Sequence, residues 1–181
     1  NDGQMAYAVD WSSTGDVAEV NLNTFAVNHN IGFNYPHGSC LNPMGDTLYI
    51  TQQNSSNKMY KVPTNDFSSF TEVNLFTTTP TGFLNSHEVL FSPDGTEYFV
   101  TCQGTSEVRI FQQGTDQLLA IVPVGAQPSE MSVSVTHNYV FVTCEEDTLS
   151  FPGIRGSIAV IDISANSLIT KMLLLLRGIM P

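Results

Sequence analysis

Residues that could do chemistry recur at three equivalent points of this sequence. They form the pairs His37-Gly38, His87-Glu88 and Ser129-Glu130, which begin 50 and 42 residues apart. Neutral imidazoles and carboxylates are common ligands of divalent metals, and the same groups transfer protons in general acid–base catalysis. If the fold brings the three pairs to a shared axis, the sequence predicts a binding site there.

Several interpretations of these pairs stay open. The candidate ligand-binding residues are the polar members of the pairs: His37, His87, Glu88, Ser129 and Glu130. The same side chains could instead solvate a water-filled channel or act as acid–base residues. A divalent metal would take His37 and His87 as ligands, with Cys40 as a further soft ligand.

The elements that must position these pairs follow from an internal repeat. The tetrapeptide FVTC occurs at 99–102 and again at 141–144, and the related YITQ and YAVD stand at 49–52 and 7–10. The aromatic residues that start the four copies are 42, 50 and 42 residues apart. A repeat of that length is typical of solenoids and propellers, in which each unit packs on its neighbours.

Each repeat unit is a series of short strands. Alternating runs precede the tetrapeptides at 37–41, 87–91 and 129–135. Gly45, Gly95 and Asn138 lie in the intervening turns and are expected to supply the positive φ of a tight hairpin. Two further strands follow each tetrapeptide, and the last one in the first unit is predicted at 24–28. Because no helical periodicity occurs, the sequence predicts an all-β protein.

Four antiparallel strands in a unit of about forty to fifty residues are typical of a β-propeller blade. We expect residues 1–181 to form a single partial propeller domain with four blades, at about 1–35, 36–85, 86–127 and 128–181. The first blade lacks one strand, so about three and three-quarter blades are present. This count favours a piece of a seven-bladed ring.

The repeat resembles a known family. The segment SPDGTEYFVTCQGTSEVRIF at 92–111, together with GSIAVIDISANSLITKM at 156–172, is similar to the YVTN-type propeller repeats of surface-layer proteins and related secreted or periplasmic propellers. The resemblance covers nearly the whole chain, with Cys, Gln or Asp where that family most often has Asn. It implies a propeller fold and an extracellular or periplasmic location, and it leaves the chemistry open.

Charge excludes two classes of partner. Only 6 Lys and Arg residues face 17 Asp and Glu residues, which gives a net charge of −11. Nucleic acids and anionic membranes both need clustered basic side chains, so neither is expected as a partner. The longest apolar run, at 172–176, is too short to span a membrane. An acidic surface suits solubility, metal cations or basic partners.

The three cysteines and one long loop complete the candidate features. Cys102 and Cys144 occupy equivalent positions and are expected to be buried free thiols, because neighbouring second strands diverge too far for a disulfide. A longer loop at 145–156 contains three adjacent acids, without the spacing of a known calcium loop. Its apolar residues are predicted to contact a partner: Leu149, Phe151 and Ile154.

Three functions remain open on these residues. The favoured one is a non-catalytic, exported scaffold that presents a polar channel mouth and loops to a protein or small ligand, with no cofactor except a possible divalent metal. Its expected partner is another protein or the remaining part of the propeller. The resemblance also implies two alternatives. One is the propeller part of a periplasmic redox enzyme, whose haem or copper centre lies elsewhere in the chain or complex. The other is a lactonase-like hydrolase, which is weakened because no Arg lies on a predicted first strand.

Overall fold

The computed structural model describes residues 3–75, 82–151, 153 and 155–173, and every regular element in them is a β-strand. The strands form four antiparallel sheets, three with four strands and one with three. This arrangement confirms the predicted all-β architecture, including the blade that lacks one strand. Within this part of the chain, no helix has the length and apolarity needed to cross a membrane.

Each sheet is one blade, and its strands follow one another along the chain. Blade one contains β1 Met5–Val9, β2 Gly15–Asn21 and β3 Val27–Phe33. Blade two contains β4 Pro36–Leu41, β5 Thr47–Gln52, β6 Lys58–Pro63 and β7 Thr71–Asn74. Blade three contains β8 Ser86–Phe91, β9 Glu97–Cys102, β10 Glu107–Gln112 and β11 Leu118–Pro123. Blade four contains β12 Pro128–Val133, β13 Tyr139–Cys144, β14 Ser157–Asp162 and β15 Ser167–Leu173.

The first strands of blades two, three and four lie side by side. Each forms one edge of its own sheet, because the strands of a blade pair in chain order. β8 contacts both β4 and β12, so the three strands share one inner edge of the molecule. The polar pairs found in the sequence lie near the start of these strands.

Apolar side chains between the blades form the core. Along β9, Tyr98 and Val100 pack into the cluster between blades two and three, whereas Phe99 packs into the cluster between blades three and four. All three side chains are fully buried. Successive residues of a strand point to opposite faces of its sheet, so one apolar tetrapeptide serves two interfaces. This burial explains why the FVTC motif recurs.

The predicted positive φ angles of the hairpin turns are confirmed at two positions and wrong at a third. Gly45 and Gly95 have φ of 74° and 72°, as predicted for the hairpin turns. The prediction for Asn138 was wrong, because its φ is not positive. In that turn the Ser134 hydroxyl oxygen instead accepts hydrogen bonds from the backbone N–H groups of Thr136 and His137, at 3.3 and 3.1 Å.

The last strand of blade one also begins later than the predicted range of 24–28. The side-chain oxygen of Asn21 accepts hydrogen bonds from the backbone N–H groups of Asn23 and Thr24, at 2.9 and 3.1 Å. Phe25 then adopts a left-handed φ of 56°. These features hold residues 23–25 in a turn, so β3 starts only at Val27.

Candidate functional site

A β-bulge opens each of the three first strands. In blade two, Pro36 pairs with Gln52 and Ser39 with Ile50, so His37 and Gly38 together face the single residue Thr51. The registers of blades three and four shift in the same way at His87-Glu88 and Ser129-Glu130. Bulges redirect side chains at sheet edges and are frequent beside functional sites. The three polar pairs are therefore the three bulges.

In blades two and three, the threonine of the repeated tetrapeptide connects the bulge to the next blade. The hydroxyl of Thr51 accepts a hydrogen bond from the Gly38 N–H at 2.8 Å and donates one to the His87 carbonyl oxygen at 2.7 Å. Thr101 repeats both bonds one blade later, with Glu88 and Ser129 at 2.9 and 3.0 Å. A single hydroxyl therefore fixes both the bulge and the spacing between neighbouring first strands.

The bulges bring the predicted histidines and serine together. The rings of His37 and His87 are in contact, with their centroids 4.0 Å apart and their planes tilted by 42°. Nδ1 of His37 lies 3.2 Å from the His87 carbonyl oxygen, which can only accept, so this nitrogen carries the proton. Nε2 of His87 lies 3.5 Å from the Ser129 hydroxyl. The predicted convergence of His37, His87 and Ser129 is present.

Four of the five candidate residues line one pocket, which we call the axial pocket. It has a volume of about 270 Å³, and its walls are His37, Gly38, Ser39, His87, Glu88 and Glu130. Ser129 is 2% exposed and lies behind His87, outside this lining. Blade two has Gly38 at the position where the other two blades have Glu88 and Glu130, and the reason is steric. A Cβ there would lie 2.5 Å from the His87 carbonyl oxygen.

The two carboxylates of the axial pocket affect one another. Partial burial and the negative charge of Glu130 raise the pKa of Glu88 from 4.5 to about 7. The backbone N–H of Met131 donates a hydrogen bond to Glu88 and partly offsets this rise. Glu88 is therefore close to half ionised at neutral pH, and a cation placed beside it would favour the charged form.

His87 behaves as a neutral group. Burial and the neighbouring His37 lower its pKa from 6.5 to about 4, against a smaller opposite effect of Glu145. Its side chain is 8% exposed, and Nδ1 is buried without a hydrogen-bond partner in the described structure. The ring thus supplies an apolar face and one weak polar contact at the back of the axial pocket.

His37 and His87 are the predicted candidates for a metal site, and their ring planes are tilted by 42° to each other. Within the described residues, no group of three or more His, Cys, Asp or Glu side chains is arranged to hold a metal. Cys40 lines a different pocket with Met5 and Tyr7.

The other two cysteines are as predicted. Cys102 and Cys144 are free, with exposures of 0% and 1%. Burial raises the pKa of both thiols, so each stays protonated and acts as an apolar packing residue.

The long loop of blade four is anchored rather than loose. The buried carboxylate of Asp147 accepts hydrogen bonds from the Ser157 hydroxyl at 2.5 Å and the Ser150 N–H at 3.1 Å. Leu149 is 89% exposed, as the predicted partner contact requires, while Phe151 is half-buried. Ile154 lies outside the described residues.

Two aromatic residues beside the axial pocket were missed by the sequence reasoning. Trp11 lies 6.4 Å from His37 and 5.6 Å from Tyr35 between ring centroids. A sequence signal exists: Trp11 directly follows the tetrapeptide at 7–10, and Tyr35 directly precedes β4. Loops at these two positions reach the same end of the sheets. The repeat did not reveal them, because neither residue recurs in the other blades.

The chain resembles solved structures, although no protein-family model and no curated sequence matches it. One similar structure is hydrazine synthase from Kuenenia stuttgartiensis, with a TM-score of 0.72 and 17% identity over 95% of this chain and 50% of that chain. Another is a candidate 6-phosphogluconolactonase from Bacteroides uniformis, with a TM-score of 0.70 and 10% identity over 95% of this chain and 55% of that chain. The fold is a β-propeller.

At these identities the likeness establishes the fold alone. The chain spans about half the length of both similar structures. Their names are those of two different enzymes, so the propeller fold by itself does not indicate a reaction. Any inference about function therefore depends on the residues of the axial pocket.

Proposed function

We propose that the protein is a non-catalytic scaffold from an exported, YVTN-type β-propeller, which binds a ligand or protein partner through a cationic group at the axial pocket. The main support is the charge of that pocket. Burial, and then the nearby negative charge of Glu130, raise the pKa of Glu88 from 4.5 to about 7. A bound cation would relieve this repulsion, and the gain would favour binding.

The basic side chains in the described part of the chain do not supply that cation. Five of its 6 Lys and Arg residues are described. Each has a partner elsewhere: Lys58 with Glu72, Lys61 with Asp116, Arg109 with Glu107, Arg155 with Glu146, and Lys171 with Ser150. Arg177 lies outside the described residues. The net charge of −11 further favours a basic partner.

The buried state of Ser129 and His87 favours binding over hydrolysis. A serine nucleophile must reach the substrate and have a base that takes its proton. Ser129 is only 2% exposed. The pKa of His87, about 4, makes it a weak base.

A lactonase-like hydrolase is the second candidate, and one observation favours it. A carboxyl with a pKa of about 7 suits general acid–base catalysis at neutral pH, and Glu88 has one. Against it, the axial pocket has two carboxylates and no Lys or Arg among its lining residues. A phosphorylated sugar lactone would be repelled by this lining.

Binding of an oligolysine peptide, measured by calorimetry at low salt, tests the proposal. We expect E88Q/E130Q to weaken this binding by about tenfold, because both axial carboxylates are lost. The matched control D16N/E72Q removes two carboxylates from strands β2 and β7, away from the axis, and should change affinity by less than about twofold. Equal losses in both variants would show non-specific attraction and overturn the proposal.

Two further measurements distinguish the scaffold from a hydrolase and from a redox enzyme. Hydrolysis of simple lactones by the wild type, abolished in E88Q, would replace the scaffold by a hydrolase. Bound iron or copper, found by metal analysis and a visible absorption spectrum of the native protein, would instead favour the redox enzyme, whose centre lies outside these residues.

A further inference from the structure

An aromatic row leads from the surface into the axial pocket. It consists of His87, His37 and Trp11, each in contact with the next, and of Tyr35, which packs against Trp11. Ring centroids are 5.6 Å apart between Trp11 and Tyr35, 6.4 Å between Trp11 and His37, and 4.0 Å between His37 and His87. Trp11 is 55% exposed, so the outer end of the row is open to a ligand.

Backbone hydrogen bonds hold the outer end of this row in place. The N–H of Tyr35 donates to the Ser12 carbonyl oxygen at 2.8 Å, and the Tyr35 carbonyl oxygen accepts from the N–H of Gln53 at 3.0 Å. Tyr35 also adopts a left-handed φ of 50°, which is unusual for a bulky residue. The loop that carries Trp11 and the start of β4 are thus fixed relative to each other before any ligand binds.

The chemistry of the row and of the axial pocket points to one class of ligand. Aromatic faces attract cations, with Trp the most effective, and carboxylates add a full charge. Glu88 and Glu130 lie at the inner end of the row, and the exposed Asp10 adjoins Trp11 at its outer end. An alkylated ammonium group satisfies both features, because it is a cation with an apolar surface.

We propose that Trp11 and Tyr35, together with the axial pocket, form a subsite for an organic ammonium group. This inference rests on the proposed binding function and names the chemistry of its ligand. The group could belong to a free quaternary ammonium compound or to a lysine side chain of a partner protein. Both sources share the same recognition, and they can be distinguished by experiment.

Trp11 is the only tryptophan of the chain, so its fluorescence reports directly on the subsite. Choline is titrated at about pH 8 and constant ionic strength, with 3,3-dimethylbutan-1-ol as its neutral isostere. We expect a saturable change of Trp11 emission with choline and none with the isostere. An equal response to both compounds would show that the positive charge is irrelevant and would overturn the proposal.

Substitutions locate the response. Y35L should weaken choline binding by about 3- to 10-fold, because one ring face is lost. The matched control Y139L removes a tyrosine that stacks on His137 in a turn and should leave the affinity unchanged. Binding measured by calorimetry in W11F should persist in weakened form, since Phe retains a ring. Equal affinities of Y35L, Y139L and the wild type would contradict the role of the row.

An oligolysine titration distinguishes a lysine of a partner protein from a free ammonium compound as the ligand. A saturable change of Trp11 emission with oligolysine but not with choline supports a partner lysine as the source, and a change with choline supports a free ammonium compound. If oligolysine binds through Glu88 and Glu130 without affecting Trp11 or depending on Tyr35, the subsite is wrong while the proposed function stands. If neither cation binds, the proposed function fails as well.

Discussion

The first and second strands of the blades belong to one repeat, yet they differ in how far their residues vary from blade to blade. In blades two to four, the second strands keep an aromatic residue and then a β-branched residue: Tyr49-Ile50, Phe99-Val100 and Phe141-Val142. The bulged pairs of the first strands change between His-Gly, His-Glu and Ser-Glu. The difference follows from their surroundings, because second strands are packed between sheets and bulges border an open pocket.

One hydroxyl connects these two regions. Thr51 and Thr101 lie on second strands but bond to the bulges of two blades each. A uniform scaffold can thus present different side chains at the same three points. In this chain, repeated positions maintain the packing, and varied positions supply most of the side chains of the axial pocket.

The largest effect is expected from a change in a second strand. Phe99 is fully buried between blades three and four, so F99A should lower the free energy of unfolding by about 3–5 kcal/mol through lost burial and a cavity. F83A removes the same ring from a side chain that is 62% exposed and should cost less than about 1 kcal/mol. Urea denaturation measures both variants. Similar losses would contradict the assigned core.

The connecting hydroxyl gives the next largest effect. T101V leaves the Glu88 N–H and the Ser129 carbonyl oxygen without their partner and should cost about 1–3 kcal/mol in unfolding free energy.

T143V is the matched control for this variant. Among the described residues, the Thr143 hydroxyl bonds only to Glu130 of its own blade: the Glu130 N–H lies at 3.0 Å and the Glu130 carbonyl oxygen at 3.3 Å. We expect a smaller loss for T143V than for T101V. The reverse order would disprove the connection between blades.

The fold and part of the axial pocket could be predicted from the sequence, whereas the burial of one residue and two aromatic residues beside the pocket could not. The fold was predictable because a hairpin turn and a buried tetrapeptide recur at fixed spacing, and the convergence of His37 and His87 followed from their equivalent positions. The burial of Ser129 was not predictable, because a bulge places its two residues differently and the sequence does not reveal the bulge. Trp11 and Tyr35 were missed because they lie in loops that do not repeat.

The pH dependence of stability tests the axial side of the comparison. The folded state raises the pKa of Glu88 from 4.5 to about 7. The stability that this group contributes to the folded state is therefore complete below pH 4.5 and is lost as pH rises through about 7. His87 acts oppositely: its contribution is complete above pH 6.5 and is lost as pH falls through about 4.

E88Q isolates the first of these two effects. The variant should become more stable than the wild type as pH rises from about 5 to 8, by about 1–2 kcal/mol once the partial exposure of Glu88 is discounted. Denaturation curves at several pH values measure this gain. A stability difference that does not depend on pH would contradict the raised pKa.

The smallest effect is expected on the loop of blade four. Leu149 is 89% exposed, so L149S should change the free energy of unfolding by less than about 0.5 kcal/mol. D147A removes the buried anchor of the same loop and should cost more, since Ser157 and Ser150 lose their acceptor. Thermal melts of the two variants compare them directly. Equal melting temperatures would show that the loop is not anchored as described.

The carboxyl pKa of Glu88 tests most directly whether two carboxylates share a cation-binding pocket at the axis. It can be followed by NMR through the side-chain carbonyl carbon. We expect a value of about 7 in the wild type. We also expect a lower value in E130Q, and a lower value when choline is bound to the wild type. A pKa near the ordinary 4.5 that is unaffected by E130Q or by choline would contradict a shared, cation-binding pocket at the axis.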